Sequence, residues 1–342
     1  MDSLSQIVLG ASVAGAVAPR GHRRKAMLLG AALGTLPDLD VLIDYGDPVS
    51  NFTYHRGFSH SLFVLAPFSV LLWMLLKRFW APVREAPLPW FWAISLALIT
   101  HPLLDAHTAY GTQLFWPMTS PPISWATIFI IDPMYTLPLL VGALCAAIRP
   151  AREWSNTALR TGLVVSTLYL GWSWTAQAVV ERHARQSLAD LGLENADLFV
   201  TPTPLNTLLW RVVVLTDDGF LEGFDSLLVD EPKMVFSASA SDTQSLQEAH
   251  DVWAVERLLW FSRGFVKATV DDERLILSDL RMGQEPVYVF SHVVATRGNP
   301  HWKPITTELL PVSLTNRALS WTWQRIWTET VAPADQSAPA AR

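Results

Sequence analysis

The chain has 342 residues, half of them apolar and only 16% charged, a composition outside the range of an ordinary soluble enzyme. The charge is uneven: residues 1–180 hold 11 Lys/Arg and 9 Asp/Glu, whereas 181–342 hold 14 and 22, a net −8. That acidic second part argues against nucleic acid as a partner, and the lone cysteine, Cys145, rules out an intrachain disulfide or a CxxC zinc site.

Apolar runs recur along the first half at 4–18, 26–43, 61–78, 90–105, 126–148 and 159–180. Most approach the length needed to cross a hydrocarbon core of roughly 30 Å. The first could be mistaken for a secretion signal, because Ala16-Val17-Ala18 imitates a cleavage site. No Lys or Arg precedes it, so it reads as a retained helix. Pro37, Pro67, Pro133 and Pro138 predict kinks or breaks inside the runs. The expected architecture is an α-helical polytopic membrane domain of five to six spans over 1–180. A soluble α+β domain follows over 181–330, then a disordered Ala/Pro-rich tail over 331–342.

Loop charge sets the expected orientation. Arg20, Arg23, Arg24 and Lys25 follow the first run, Lys77, Arg78 and Arg84 the third, and Arg149, Arg152 and Arg160 the fifth. The alternate loops, 44–60 and 106–125, contain only Arg56. The basic loops are therefore expected in the cytoplasm, with 44–60, 106–125 and the second domain outside. Trp90, Trp92, Trp116 and Trp125 fall where an interfacial belt would lie.

In the second domain, Leu209–Leu215 and Phe220–Leu228 flank Asp217-Asp218-Gly219, a hairpin turn signal. Gln244–Phe261 has helical periodicity. Phe265–Val270, Arg274–Leu280 and Val287–Ala295 read as strands.

Four polar clusters interrupt the apolar half: Pro37-Asp38-Leu39-Asp40, His55-Arg56-Gly57-Phe58-Ser59-His60-Ser61, His101 to His107, and Asp132-Pro133. Under the charge-derived orientation all of them fall at the external ends of spans. Ionisable groups placed there are costly and tend to be functional. His101 and Asp105 are four apart, on one helical face, where they can grip one ion. Ser59 is placed to cap the third helix. Imidazole with carboxylate suits zinc, manganese or iron better than calcium. The expected ligands are Asp38, His55, His60, His101 and Asp105, with Asp40 as base or water-orienting group and His107 as acid. Taken alone, Asp132 is more often a helix cap and His22 part of a basic loop. Neither a Gly-x-Ser-x-Gly elbow nor a partnered cysteine nucleophile is present.

Leu36-Pro37-Asp38-Leu39-Asp40, the His55–Ser61 motif, and His101-x-x-x-Asp105 followed by Leu114-Phe115-Trp116-Pro117 occur in this order. In these motifs the chain resembles a bacterial family of inner-membrane, metal-dependent hydrolases of the YdjM type, over roughly residues 1–140. The resemblance implies a membrane-bound hydrolase with a metal in this cluster. Other members carry a histidine where this chain has Gln6. The family is also labelled LexA-binding, a partner that an acidic external domain does not support.

The expected function is a metal-dependent hydrolase at the outer face of the bacterial cytoplasmic membrane, acting on a lipid-linked or phosphoester substrate. Two other classes stay open on sequence alone: an ion-coupled transporter, and a non-catalytic assembly factor with a structural metal. Transporters usually place their polar groups near the midplane and show paired repeats, neither of which is seen here.

Overall fold

In a computed structural model, residues 1–299, 301–312 and 316–329 are described. The expected disorder of 331–342 lies outside them. The chain divides into two compact units: Met1–Ile43 with His55–Ser173, and Asp44–Tyr54 with Trp174–Arg342.

The first unit is helical. Helices α1 (Ser3–Val17) and α2 (Arg23–Thr35) come first, and Pro37 opens a 3-10 turn, Pro37–Leu42. Helix α3 (Pro48–Tyr54) falls in the second unit. A second 3-10 turn, Phe58–His60, leads into α4 (Leu62–Phe79), followed by α5 (Ala81–Glu85), α6 (Pro87–Asp105) and α7 (Pro133–Ile148). Helix α8 (Glu153–Ala189) runs 37 residues and contributes to both units. Helices α4, α6 and α8 are long and apolar enough to cross a membrane, while α1 and α7 are shorter apolar helices.

Small residues let α1 and α2 approach closely. A Cβ on Gly10 would collide with the Gly30 carbonyl, and one on Gly34 would meet the Gln6 carbonyl at 2.5 Å. Such packing is how membrane helices associate when burial against water supplies no driving force between them.

Several expectations need correction. The run 26–43 is helical only to Thr35, because Pro37 lacks the N–H that would continue the ladder. The run 126–148 becomes helical only at Pro133, where Asp132 accepts from the Met134 and Tyr135 amides at 3.0 and 3.2 Å. The cap of α4 is Ser61, which accepts from Phe63 N; Ser59 is engaged elsewhere. Trp90 is fully buried against Trp80, with ring centroids 4.8 Å apart, so it belongs to the core and not to a belt.

The second unit has two antiparallel four-stranded sheets. The first is β1 (Leu198–Pro202), β2 (Leu209–Thr216), β3 (Gly219–Ser226) and β4 (Phe236–Ala240), paired in chain order. Helices α9 (Thr243–Glu248) and α10 (Trp253–Ser262) precede β5 (Val266–Asp271) and β6 (Arg274–Asp279). A two-stranded ribbon, β7 (Gly283–Gln284) with β8 (Val287–Tyr288), comes before β9 (Ser291–Thr296) and β10 (Lys303–Leu309). The second sheet runs β10-β9-β6-β5, and α11 (Asn316–Trp327) closes the described chain.

The expected helix over Gln244–Phe261 is two helices, because Val252 is extended at its cap. The expected strand Val287–Ala295 is split, because Tyr288 pairs with β7 whereas Ser291 pairs with β6.

Candidate metal centre

Asp38 comes from the first 3-10 turn, His60 from the second, and His101 and Asp105 from the last turns of α6. Each offers one ligand atom, and these atoms all lie within 4.8 Å of one another. His60 Nε2 and His101 Nε2 are 3.1 Å apart. Asp38 Oδ1 lies 3.3 and 3.5 Å from them, and Asp105 Oδ2 lies 3.2 Å from each. His60, His101 and Asp105 are buried, and Asp38 is partly exposed.

The opposite ring nitrogens decide what these atoms are. His101 Nδ1 sits 2.7 Å from the Gly34 carbonyl, which can only accept, so Nδ1 carries the proton. Ser59 donates to Asp40 Oδ2 at 2.6 Å and receives His60 Nδ1 at 2.9 Å. In its neutral form, an imidazole whose Nδ1 proton is committed in this way presents Nε2 as a lone pair. Two imidazole lone pairs and two carboxylate oxygens converge with no donor of their own among them. A proton can reconcile two of these acceptors; a divalent cation can reconcile all four. Five of the six separations, at 3.1–3.5 Å, are close to the edges of about 3.3 Å of a tetrahedron with bonds of roughly 2.0–2.1 Å, and the whole set lies within 4.8 Å. A donated Nδ1–H behind each imidazole is the usual outer arrangement of a histidine metal site. The residues fit a transition-metal ion.

Asp105 is divided between two tasks. Its Oδ1 takes Gln6 Nε2 at 3.1 Å, Arg56 Nη2 at 3.3 Å and the Met1 amino group. Its Oδ2 faces only the imidazoles and has no hydrogen-bond donor among the described residues. Arg56 is buried with a left-handed φ of 59°, a backbone state that non-glycine residues rarely hold without a reason. Its Nη1 donates to Thr108 Oγ1 at 3.2 Å, its Cζ lies 5.0 Å from the Tyr110 ring centroid, and its Nε has no partner among the described residues.

The remaining expected site residues lie outside the group of four. His55 directs Nδ1 to Asp40 Oδ1 at 2.7 Å, and its ring centroid is 6.1 Å from that of His60. Asp40 is buried and also accepts from Arg56 N at 2.9 Å, so it ties the His55 and His60 turns to its own. His107 donates Nδ1 to Leu103 O at 2.9 Å and packs edge-on against Trp125, and burial holds its imidazole below the ordinary range. Asp132 is a helix cap whose Oδ2 takes the Tyr169 hydroxyl at 2.9 Å. Sequence reasoning missed Gly34, whose contribution is a backbone carbonyl with no signature. It gave Arg56 no role and took Ser59 for a helix cap, although both stand inside a motif.

The chain is similar to the uncharacterized protein YfhP of Bacillus subtilis, 23% identical over 230 residues, 65% of this chain and 68% of that protein. No solved structure matches it. The model of the family described as YdjM inner membrane protein matches residues 1–180, the stretch that carries every residue of the centre, and the chain belongs to that family.

Proposed function

We propose that this protein is a membrane-bound, metal-dependent hydrolase acting at the outer face of the cytoplasmic membrane. The observation that carries this reading is the convergence of four buried or half-buried acceptors, each histidine backed by a proton acceptor on its other nitrogen. Asp38, His60, His101 and Asp105 would hold the ion, and their mixed nitrogen and oxygen donors suit zinc. A divalent ion bound there supplies Lewis acidity at neutral pH.

The chain's own residues do the rest. Asp40 fixes Nδ1–H of His55 and leaves Nε2 to take the proton of an attacking water, the division of labour of an Asp–His pair. His107 donates its Nδ1–H to Leu103 O in an imidazole that burial keeps neutral, so it has no second proton to give, and the proton His55 takes from water is the one returned to the leaving group. Arg56 adds a buried positive charge next to the centre, which supports an anionic phosphoester or lipid-linked substrate.

The outer-face reading is supported by the clustering of the basic loops. Arg23 donates to Pro150 O at 2.9 Å, Arg24 to Ala147 O at 2.7 Å, and His22 pairs with Glu85 at 3.1 Å. These bonds join the three basic loops at one end of the helices that carry the ligands at the other. Helix α6 alone, at 19 residues, separates those ends by about 28 Å, the depth of a bilayer core.

A reporter active only outside the cytoplasm should work when fused after Gly111 or Glu194 and stay silent after Arg24 or Glu85. The opposite pattern would place the centre inside. Purified protein should hydrolyse phosphoester or lipid-linked probes in a metal-dependent way that Asp40→Asn abolishes while metal is retained. Absence of turnover together with Asp105-dependent ion flux in proteoliposomes would favour a transporter.

A further inference from the structure

Segment 44–54 folds with the second unit, although the chain on both sides of it belongs to the first. Resting on the metal-site reading above, we infer that the second unit positions the ligands by gripping this segment, with Phe52 and Arg257 as the positioning residues. The segment joins the two turns that carry Asp38 and His60. Only Ile43 separates it from the Pro37–Leu42 turn, and His55 follows it directly. With so few residues between, the chain has little slack to absorb a displacement.

The grip is made of buried groups. Val49 and Thr53 have no exposure, and Phe52 is 6% or less exposed. Phe52 lies between Phe261 and Phe290, with ring centroids at 4.7 and 4.5 Å. Arg257 donates Nε to Thr53 Oγ1 at 2.9 Å and Nη2 to the Thr53 carbonyl at 3.3 Å. Its guanidinium is sandwiched by Trp260 at 4.1 Å and Tyr54 at 4.5 Å. At the other end, Asp47 Oδ1 caps α3 and takes the Thr307 hydroxyl of β10 at 2.7 Å. An ordinary connecting loop runs over the surface and makes few such contacts. This one has an aromatic anchor, a two-point arginine clamp and a cap at its entry, all supplied by chain that follows α8 or by the segment itself.

The consequence is that the spacing of Asp38 and His60 is set partly by residues about 200 positions away in sequence, since Arg257 and Thr53 are 204 apart. Loss of a group hydrogen-bonded to a ligand typically weakens metal affinity roughly 10–100-fold, and a support one step further out acts in the same direction toward the lower end of that range. The test titrates detergent-purified, full-length protein with Co²⁺ and follows its visible absorption, which reports both affinity and coordination geometry. Phe52→Ala and Arg257→Ala should raise the Co²⁺ dissociation constant about tenfold or more, and Phe52→Leu should restore it. A four-residue Gly/Ser insertion between Tyr54 and His55 leaves the grip intact but adds slack, and should weaken binding in the same way. This insertion decides the matter where a point variant does not fold. Wild-type affinity in the insertion and alanine variants would overturn the inference. So would equal weakening in Trp321→Leu, a core variant on α11 that does not touch the segment. Failure of the wild type itself to bind Co²⁺ would sink the metal-site reading instead.

Discussion

The metal centre of the first unit and the buried ion pairs of the second treat polar groups in opposite ways. In the second, acceptor meets donor: Arg281 donates Nε and Nη2 to Asp279 at 2.9 and 2.6 Å, and Arg211 reaches Glu222 at 2.6 Å. In the first, Asp38, His60, His101 and Asp105 turn acceptor toward acceptor, while their donors stand behind them. In such a closed pair each carboxylate already faces a donor, even though Arg281 Nη1 and Arg211 Nη2 have no partner among the described residues. Convergent acceptors are costly until a cation joins them. The difference separates residues that hold the fold from residues that await an ion, and it can be attacked from either side.

The largest expected effect lies in the closed pairs. Arg281→Met leaves the Asp279 carboxylate buried without its partner, and should destabilise the second unit by about 3–5 kcal/mol. Denaturant titration would measure that loss, and the metal content of the folded fraction should be unchanged. A loss of metal at full stability would erase the contrast.

The next effect is a pH dependence confined to the second unit. Burial pushes His292 down to about 4. Its folded pKa lies below the unfolded value, so the unfolded chain binds the extra proton first. Stability is fully present above pH 6.5 and falls as the pH drops from there through about 4. A shift of this size corresponds to about 3 kcal/mol. Thermal melts of wild type should show this slope, and His292→Gln should flatten it. An unchanged slope in the variant would assign the titration to another group.

A smaller effect is expected behind the ligands. Ser59→Ala removes the group that receives His60 Nδ1, and should weaken metal binding roughly 10–100-fold without unfolding the protein. Equilibrium dialysis against a metal buffer would detect it. His22→Ala, at the far end of the same helices, should leave metal binding unchanged.

The contrast was only partly legible in the residues. His101 and Asp105 announce themselves, because a four-residue spacing in an apolar run puts two costly groups on one face. Asp38 and His60 stand out for the same reason, although nothing in their spacing says that two separate 3-10 turns bring them together. His55 and His60 look alike in the motif, and only the fold directs one to Asp40 and the other to the centre. The β2–β3 hairpin was readable from Asp217-Asp218-Gly219, since that turn chemistry is local. Strands β1, β4 and β10 were not, because Pro202 and Pro304 and the Ser/Ala run of β4 weaken the local strand signal. Segment 44–54 read as part of the external loop 44–60, and the aromatic nest around Phe52 comes from chain some 200 residues later. Composition marked a membrane protein at once, yet α1 and α7 are too short to settle the number of crossings by length.

The most direct test of the centre is elemental analysis of the purified protein beside His60→Ala and Asp105→Ala. Wild type should retain close to one equivalent of a transition metal, about the expectation for a mononuclear site, and each variant should lose most of it while remaining folded. Full metal retention in both folded variants would contradict the site.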